Sequence, residues 1–587
     1  MPTLQQRQIQ EAGSAVLTMS TAGESTRSIA VELALLHLRE LEPLIAEAPE
    51  LLVSTETVLA FATIRNADPA TWQSWKKVLD KYEKLRLMEH MLGAAVAANH
   101  CELESNADRL IRLVFETRPE FFHDPDQYGW ASIRVDGHWE NHPIHSRAFK
   151  LFLLRTFYRK TGESPGPQAI HAAQELFEAI ALFDGEENPI HLRTAEYKGK
   201  LYLDLCDRAW RAIEIDCEGW CIIDLPPVKF RRARGSQPLP EPERGGSLEQ
   251  LRSFLNVDDQ GWTLIRAFLV ATLRPGLPCP ILVAKGEQGA GKSTACRVIT
   301  ALIDPRTGAL RGIPREVRDL IAAARNSWIV CFDNLSHLPD ELADAACRLA
   351  TGGGFGGREL YSDHDQAVFD AIRPMMFNAI PDLGAARPDF LDRTLIVEFS
   401  ELKPEIRRDE AQFWREFEQV RPQILGALLD AAAAGLGNLP EVRIDHPPRM
   451  ADFAIWMNAC EERLGMKPGE ALAAYRSNCA ETHQLTLESS PLYDPIANLA
   501  REGFNGTVAE LHTRLTRMVS EGMRRSLRWP KAPSALGSAL RRLASNLRAD
   551  GIEIQFSRAD VRGRRVVSLV CASKFPKRPS VAVSDHQ

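Results

Sequence analysis

Residues 280–294 read PILVAKGEQGAGKST. The run ILVA is short and apolar, with Pro280 on one side and a glycine loop on the other, which predicts a buried strand. The loop carries Gly286, Gly291, Lys292 and Ser293 in GxxxxGK[ST] spacing, and the residues after it have helical periodicity. Strand, glycine loop and helix in that order form a Walker A arrangement, a far more specific signal than an isolated glycine turn. The spacing follows from the ligand. Glycines let the backbone N–H groups of Gly286, Glu287, Gln288, Gly289, Ala290, Gly291, Lys292, Ser293 and Thr294 turn inward around a β-phosphate, and the following helix presents its positive end to the anion. Lys292 is expected to bridge the β- and γ-phosphates and Ser293 to offer its hydroxyl to Mg²⁺, so the expected cofactors are ATP and Mg²⁺.

Downstream, Trp328–Phe332 is an apolar strand ending in Asp333, where a Walker B carboxylate reaches Mg²⁺ from the neighbouring strand. An apolar run ending in Asp is common, and its place after a Walker A loop is what gives Asp333 the metal-side role. Asn334 follows where many ring ATPases carry a second acid. An amide cannot accept a proton as a carboxylate does, although it can still orient water. A third strand, Pro374–Phe377, ends in Asn378, placed to hydrogen-bond the γ-phosphate or the attacking water; a routine turn residue is the plain alternative. Arg393 in FLDR is the candidate arginine finger for a neighbouring subunit's site, with Arg387 as the fallback and a surface salt bridge as the competing reading.

Strands and helices alternate around these motifs to about Ser400, which gives an α/β ATPase core. Outward from it, residues 1–110 form a helical N-terminal region, rich in Leu, Ala, Glu and Lys. Residues 111–240 mix α and β, with the strand-like runs WASIRV, KLYLDLC, AWRAIEID and GWCIID. The stretch ARGSQPLPEPERGG, Ala233–Gly246, concentrates Pro, Gly and charge and reads as a linker. The ATPase domain then covers residues 247–440 and a helical connector 441–487. Residues 488–579 show three short helical patterns followed by the strands IEIQFSR and GRRVVSLV, the order of a winged helix.

Composition bounds the rest. Hydrophobic residues make up 44% and charged residues 25% of 587, the proportions of a globular chain long enough for several domains. No apolar run approaches the ~18 residues needed to cross a bilayer, and MPTLQQRQIQ lacks a signal-peptide core, so a cytoplasmic protein with no membrane partner is expected. The 11 cysteines are scattered, and Cys296, Cys331 and Cys347 sit in apolar segments, which reads as reduced core residues. His138, His142 and His145 invite a metal or nuclease reading, but their spacing fits no strong template.

The net charge of −7 hides an asymmetry. Residues 521–578 hold 14 Lys/Arg against 4 Asp/Glu, which leaves −17 on the remainder. Such a patch favours a polyanionic partner, with a solvated face as the bland alternative. Within it, Leu536, Leu540, Leu543 and Leu547 make one helical face, leaving Arg541, Arg542, Asn546 and Arg548 for a recognition helix. Arg558, Arg562, Arg564 and Arg565 cluster in the turn and strand of the expected wing, where they would sit against phosphates. A winged helix used for protein contacts is the structural alternative.

Taken in order, GEQGAGKST, WIVCFDN, LATGGGFGGRELYSDHDQAVF, RPMMFN and FLDR resemble the superfamily 3 helicases of the AAA+ class, closest to the replicative ATPases of phages and mobile elements. Residues 121–232 resemble, more weakly, the domain preceding such ATPases in the poxvirus-type helicase-primase group. The resemblance implies a ring, usually a homo-hexamer, threading one nucleic-acid strand. It also implies a pore hairpin over Gly352–Phe369, with Arg358 and His364 as candidate DNA contacts. Asp363 and Asp365 flank His364, a departure from the basic tip that a phosphate-gripping hairpin needs. No set of primase carboxylates is evident, so a separate primase is the expected partner for primer synthesis. The function expected is an ATP-dependent translocase or helicase on single-stranded or forked DNA, serving phage or mobile-element replication. The rivals are an ATP-driven oligomerisation switch with slow hydrolysis, a DNA-binding initiator or regulator, and a phage-defence ATPase.

Overall fold

The computed structural model describes residues 24–92, 105–335, 338–358, 366–369, 371–379, 388–402, 408–526, 528–558 and 565–571. The chain divides into two compact units, one of Met1–Pro119 with Ile144–Ala179 and one of Glu120–Pro143 with Ile180–Gln587. In the first, helices at Glu24–Leu41, Thr55–Ala67 and Pro69–Lys81 close on Phe61, Trp72, Trp75 and Leu79. Further helices follow at Asn106–Glu116 and Arg147–Thr161. No helix among the described residues is long and apolar enough to cross a membrane.

The second unit holds the core. Its elements, in chain order, are α1 (Asp259–Thr272), β1 (Ile281–Gly286), α2 (Lys292–Ile303), β2 (Leu310–Arg311), α3 (Val317–Asn326), β3 (Val330–Leu335), α4 (Asp340–Thr351), β4 (Phe355–Arg358), β5 (Gln366–Phe369), β6 (Met375–Ala379), α5 (Pro388–Leu391), β7 (Thr394–Phe399) and α6 (Glu410–Asn438). Five strands form a parallel sheet in the order β2-β3-β6-β1-β7. A parallel sheet must be covered on both faces, so its strands read as unbroken apolar runs. Alternate residues divide between the layers. Ile281 and Val283 join Leu320, Leu342 and Phe390 from α3, α4 and α5. Leu282 and Ala284 join Trp262, Ile299 and Leu428 from α1, α2 and α6. Helix α1 is buried along its length, which explains why LIRAFLVAT lacks a polar face.

The order corrects one expectation. Asp333 does not lie on the strand next to the Walker A strand, because β6 separates β3 from β1. Strands close in sequence often pair, but here the chain crosses over so that a later strand is inserted between two earlier ones.

Strand β7 ends the sheet, and an open edge is a liability. After α7 (Ala451–Cys460), α8 (Glu470–Glu488) covers it, and buried Asn478 pairs with the edge as another strand would. Its side chain accepts from Ile396 N at 3.0 Å and donates to Ile396 O at 2.7 Å. Asn478→Leu leaves both backbone groups without partners, so a local loss of about 2–3 kcal/mol is expected. Hydrogen exchange at the Ile396 amide reads it directly; unchanged protection would disprove the edge-pairing role.

The Pro- and Gly-rich stretch 233–246 is not a free tether. Glu243 N donates to Pro422 O at 3.0 Å, and a Cβ on Gly426 would meet Glu243 O at 1.8 Å, so backbone lies against α6. Arg244 stacks on Trp220, 4.2 Å from the ring centroid. Composition flags irregular backbone, and irregular backbone can still be packed.

Upstream, the strand-like runs appear as Gly129–Val135, Lys200–Asp204, Ala212–Asp216 and Gly219–Ile223. At the other end stand α9 (Tyr493–Glu502), β8 (Phe504–Thr507), α10 (Val508–Met518), α11 (Glu521–Arg525), α12 (Pro533–Ala549), β9 (Ile552–Arg558) and β10 (Arg565–Cys571). The strands form an antiparallel sheet in the order β8-β10-β9. Strand β8, FNGT, went unread in the sequence: with two central residues of low strand propensity it forms by pairing with β10.

Candidate nucleotide and nucleic-acid sites

The glycine loop leaves β1 at the carboxyl edge of the sheet, the usual ligand edge of an open α/β fold. Gly286 has φ 150°, and a Cβ there would lie 2.4 Å from Phe399 O, so only glycine lets β1 end against β7. Gly291 has φ 86° and caps α2, which begins at Lys292. The loop is thereby bent so that the amino end of a twelve-residue helix points into the space it encloses. Lys292 Nζ donates to Gly286 O at 2.9 Å and Glu287 O at 2.7 Å, which holds the ammonium within the loop.

Three further groups meet at the mouth of the loop. Ser293 Oγ is 3.1 Å from Asp333 Oδ1. The Asn378 amide donates to Ser293 Oγ at 2.8 Å and also to Asp333 Oδ1. Asn378 can serve both because its strand lies between β1 and β3 and projects the side chain from the same edge. Sites on an octahedral shell of about 2.1 Å radius are about 3.0 Å apart, so the Ser293–Asp333 spacing suits adjacent ligands of Mg²⁺. Asn334 is exposed beside them with φ 62°, at an irregularity in β3 between Phe332 and Leu335. Asn is among the few residues that tolerate this left-handed conformation.

The loop, Asp333, Asn334 and Asn378 line a cavity of about 1180 Å³. It is also lined by residues that sequence reasoning missed, including Phe254, Asn256, Leu402, Arg408 and Phe413, and Asn256 Nδ2 lies 3.5 Å from Ala290 O of the loop. Phe254 packs edge-on against Phe413 at 5.3 Å, and Asn256 donates to Ser400 O, just past the end of β7. Arg297, on α2, pairs with Glu410 at 2.7 Å and stacks on Trp414, with 4.7 Å to the ring centroid. Apart from Arg297, these residues come from segments before and after the motifs, and none belongs to a motif of its own.

Arg393 precedes β7, and its backbone O accepts from Ile281 N at the amino edge of the sheet. A six-residue strand, about 20 Å, separates it from its own glycine loop. Its guanidinium donates to Asp389 O at 2.7 Å, and its buried Nε has no partner among the described residues. Arg387 lies outside the described residues.

The hairpin expected between β3 and β6 is present, with Arg358 of β4 opposite Gln366 of β5. Its tip, with His364, lies outside the described residues. In the carboxyl-terminal module, Leu536, Leu540 and Leu547 of α12 are fully buried and Leu543 nearly so, which leaves Arg541, Arg542 and Arg548 exposed. Arg541 stacks near Phe556 at 5.7 Å. Asn546 is corrected: it is fully buried on the inner face, out of reach of any ligand. A helical position between Leu543 and Leu547 faces the core whatever its polarity. Arg565 begins β10 opposite Arg558 of β9, while Arg562 and Arg564 lie outside the described residues.

The histidines form no metal centre among the described residues, where no group of three or more His, Cys, Asp or Glu side chains is arranged to hold a metal ion. His138 and His142 flank Glu140 at 3.0 and 2.7 Å. Burial would raise the Glu140 carboxyl, but the bonds to His142 and then His138 outweigh it and hold the group below its ordinary value. Cys296 and Cys331 are buried, and hydrogen bonding to Cys296 together with burial holds the Cys331 thiol well above its usual value.

Residues 247–484 match the family described as actinomycete integrative conjugative element replication protein, and residues 493–580 match its RepA C-terminal domain. No curated protein matches the chain. Among solved structures, an apo A form of the NrS-1 C terminal region is 9% identical, with a TM-score of 0.31 over 79% of this chain and 98% of that one. Another apo structure of that region is 10% identical, with a TM-score of 0.32 over 80% and 100%. Likeness at that level carries no argument about this chain. Across the two matched segments, which together take in more than half of its residues, the chain is a replication protein of a mobile element.

Proposed function

We propose that the chain is an ATP- and Mg²⁺-dependent nucleic-acid translocase, a ring-forming DNA helicase of superfamily 3 type that serves mobile-element replication. The observation that carries this reading is the convergence of Ser293, Asp333 and Asn378, from three separate segments, within hydrogen-bond reach at the mouth of a glycine loop. Such a trio has no structural need to meet at a sheet edge unless something there requires it. In this reading the backbone N–H groups of residues 286–294 cradle the phosphates and Lys292 exchanges its loop carbonyls for phosphate oxygens. Ser293 and Asp333 hold Mg²⁺, which supplies neutralisation of the charge that develops on the phosphoryl group. Asn378 orients both ligands and senses the γ-phosphate. The part of the cavity lined by Phe254 and Phe413 receives the base, where aromatic edges and aliphatic surface suit a flat heterocycle.

Arg393 is too far along its strand to serve its own site, which leaves it for a neighbour's in a ring. The carboxyl-terminal module is read as a winged helix. On α12 the exposed residues Ser534, Ser538, Arg541, Ser545 and Arg548 recur at three- and four-residue spacing, which gives a polar and basic face for DNA.

A forked-DNA unwinding assay tests the reading. The wild-type chain is expected to separate the strands with ATP and Mg²⁺, and Asp333→Ala to stop it while leaving duplex binding by the carboxyl-terminal module in place. Asn334 favours a second reading, an ATP switch that hydrolyses slowly; turnover indifferent to single-stranded DNA, with no unwinding, would decide for it.

A further inference from the structure

The carboxyl end of α3 draws guanidinium groups from four places. Arg373 Nε donates to Ala324 O at 2.9 Å, and Arg231 Nη2 donates to Arg325 O. Arg306 Nη1 donates to Asn326 O at 2.7 Å, and Arg311 Nη2 to Ser327 Oγ at 2.7 Å. A helix leaves its last carbonyls without partners, and its dipole amounts to about half a negative charge there. One cation answers that need; four, with Arg325 itself beside them, exceed it.

Three of the nearby carboxylates are committed to other partners, while exposed Asp126 lies close enough to Arg325 to feel its charge. Asp304 accepts from Arg193 Nε at 3.1 Å and from the Trp328 and Ile329 amides, with Arg306 3.7 Å away. Asp204 pairs with Arg232 at 2.7 Å. Asp124 accepts from the amides of Asp126 and Tyr128 and from Trp130 Nε1. The surplus of positive charge shows in its effect on neighbours. Burial and then Arg373 push the His191 imidazole down to about 4, and burial and then Arg231 push the Arg373 guanidinium down to about 10.

The cluster reaches the surface at Arg325, whereas the Arg373 guanidinium lies deeper, with Nη1 donating to Ile372 O at 2.9 Å. Arg325 is exposed, and Arg231 and Arg373 are half-buried. Among the described residues Arg231 places one of its five N–H donors on a protein acceptor. The group lies where β3 and β6 begin, at the sheet edge opposite the nucleotide cavity.

We propose that Arg231, Arg325 and Arg373 form a phosphate-binding site for the backbone of a nucleic acid, separate from both the hairpin and the carboxyl-terminal module. Planar guanidinium forks suit the paired oxygens of a phosphodiester, and a partly desolvated setting strengthens each bond. The proposal rests on the reading that the chain works on nucleic acid and is independent of whether it hydrolyses ATP.

The test is fluorescence anisotropy of a labelled oligothymidylate on the full chain across a salt series, with thermal melting as the check on folding. Arg231→Gln and Arg325→Glu are each expected to weaken binding on the order of tenfold at low salt and to lower the slope of log K against log salt by about 1, while Arg231→Lys restores the slope. Arg325 is exposed, so that variant keeps the test intact even if Arg231→Gln unfolds. Wild-type slope and affinity in a folded Arg325→Glu would overturn the site and mark the cluster as a helix cap. A melting shift with inorganic phosphate, accompanied by unchanged oligonucleotide binding, would assign it to free phosphate and also overturn the proposal. No binding by the wild-type chain would remove the nucleic-acid reading itself.

Discussion

Replacing Lys292 with alanine is expected to lower ATP turnover by roughly 10²–10³-fold, the cost of removing one preorganised charge-stabilising group from a phosphoryl-transfer site. The side chain is held inside the loop by Gly286 O and Glu287 O, so the ammonium is already positioned where phosphate oxygens would replace those carbonyls. Lys292 is partly exposed and opens α2 rather than packing in its core. The alanine variant should therefore lose no more than about 1 kcal/mol of stability, the worth of two solvent-accessible hydrogen bonds. A steady-state phosphate-release assay beside a melting curve separates the two effects. Turnover within about threefold of wild type, far less than a lost phosphate ligand costs, would sink the assignment of the loop.

The parts of this site legible in the sequence are those in which chemistry is written contiguously. The glycine loop announces itself because one short segment must make the turn, the helix cap and the phosphate contact together, which restricts residue types at fixed spacing. Asp333 and Asn378 were readable as strand ends, because an apolar run closing on one polar residue is a pattern even without its partners. What stayed hidden depends on which strands become neighbours. The placement of β6 between β1 and β3, which lets one Asn378 amide reach both Ser293 and Asp333, has no local signature. Phe254, Asn256 and Phe413 converge on the cavity from segments about 160 residues apart in the extreme, each an ordinary apolar or polar residue in its own context. The burial of Asn546 was missed for a different reason. Its polarity suggested an exposed face, whereas its position between two core leucines required the opposite.

Converting Asn334 to aspartate is expected to raise the ATP turnover number by on the order of 10²-fold, because a general base at this kind of position contributes roughly 10²–10⁴ and an amide contributes none. The substitution is unusually clean. Asn334 sits at φ 62°, a conformation that Asp also tolerates, so the backbone at the irregularity of β3 need not move. The side chain is exposed toward the cavity that holds Asp333 and Asn378, so the change buries no charge. The second carboxylate next to Asp333 does add repulsion, and bound Mg²⁺ offsets it, so the gain should require magnesium. Asn334→Gly is the matching deletion, since glycine keeps the left-handed backbone without a side chain, whereas alanine would add about 1 kcal/mol of strain. If the aspartate variant speeds phosphate release and the glycine variant barely changes it, the native amide contributes nothing to turnover, and the slow switch gains over the motor. A glycine variant that loses activity together with a slower aspartate variant would mean the opposite: the amide itself orients the attacking water, and the site is already complete as an engine.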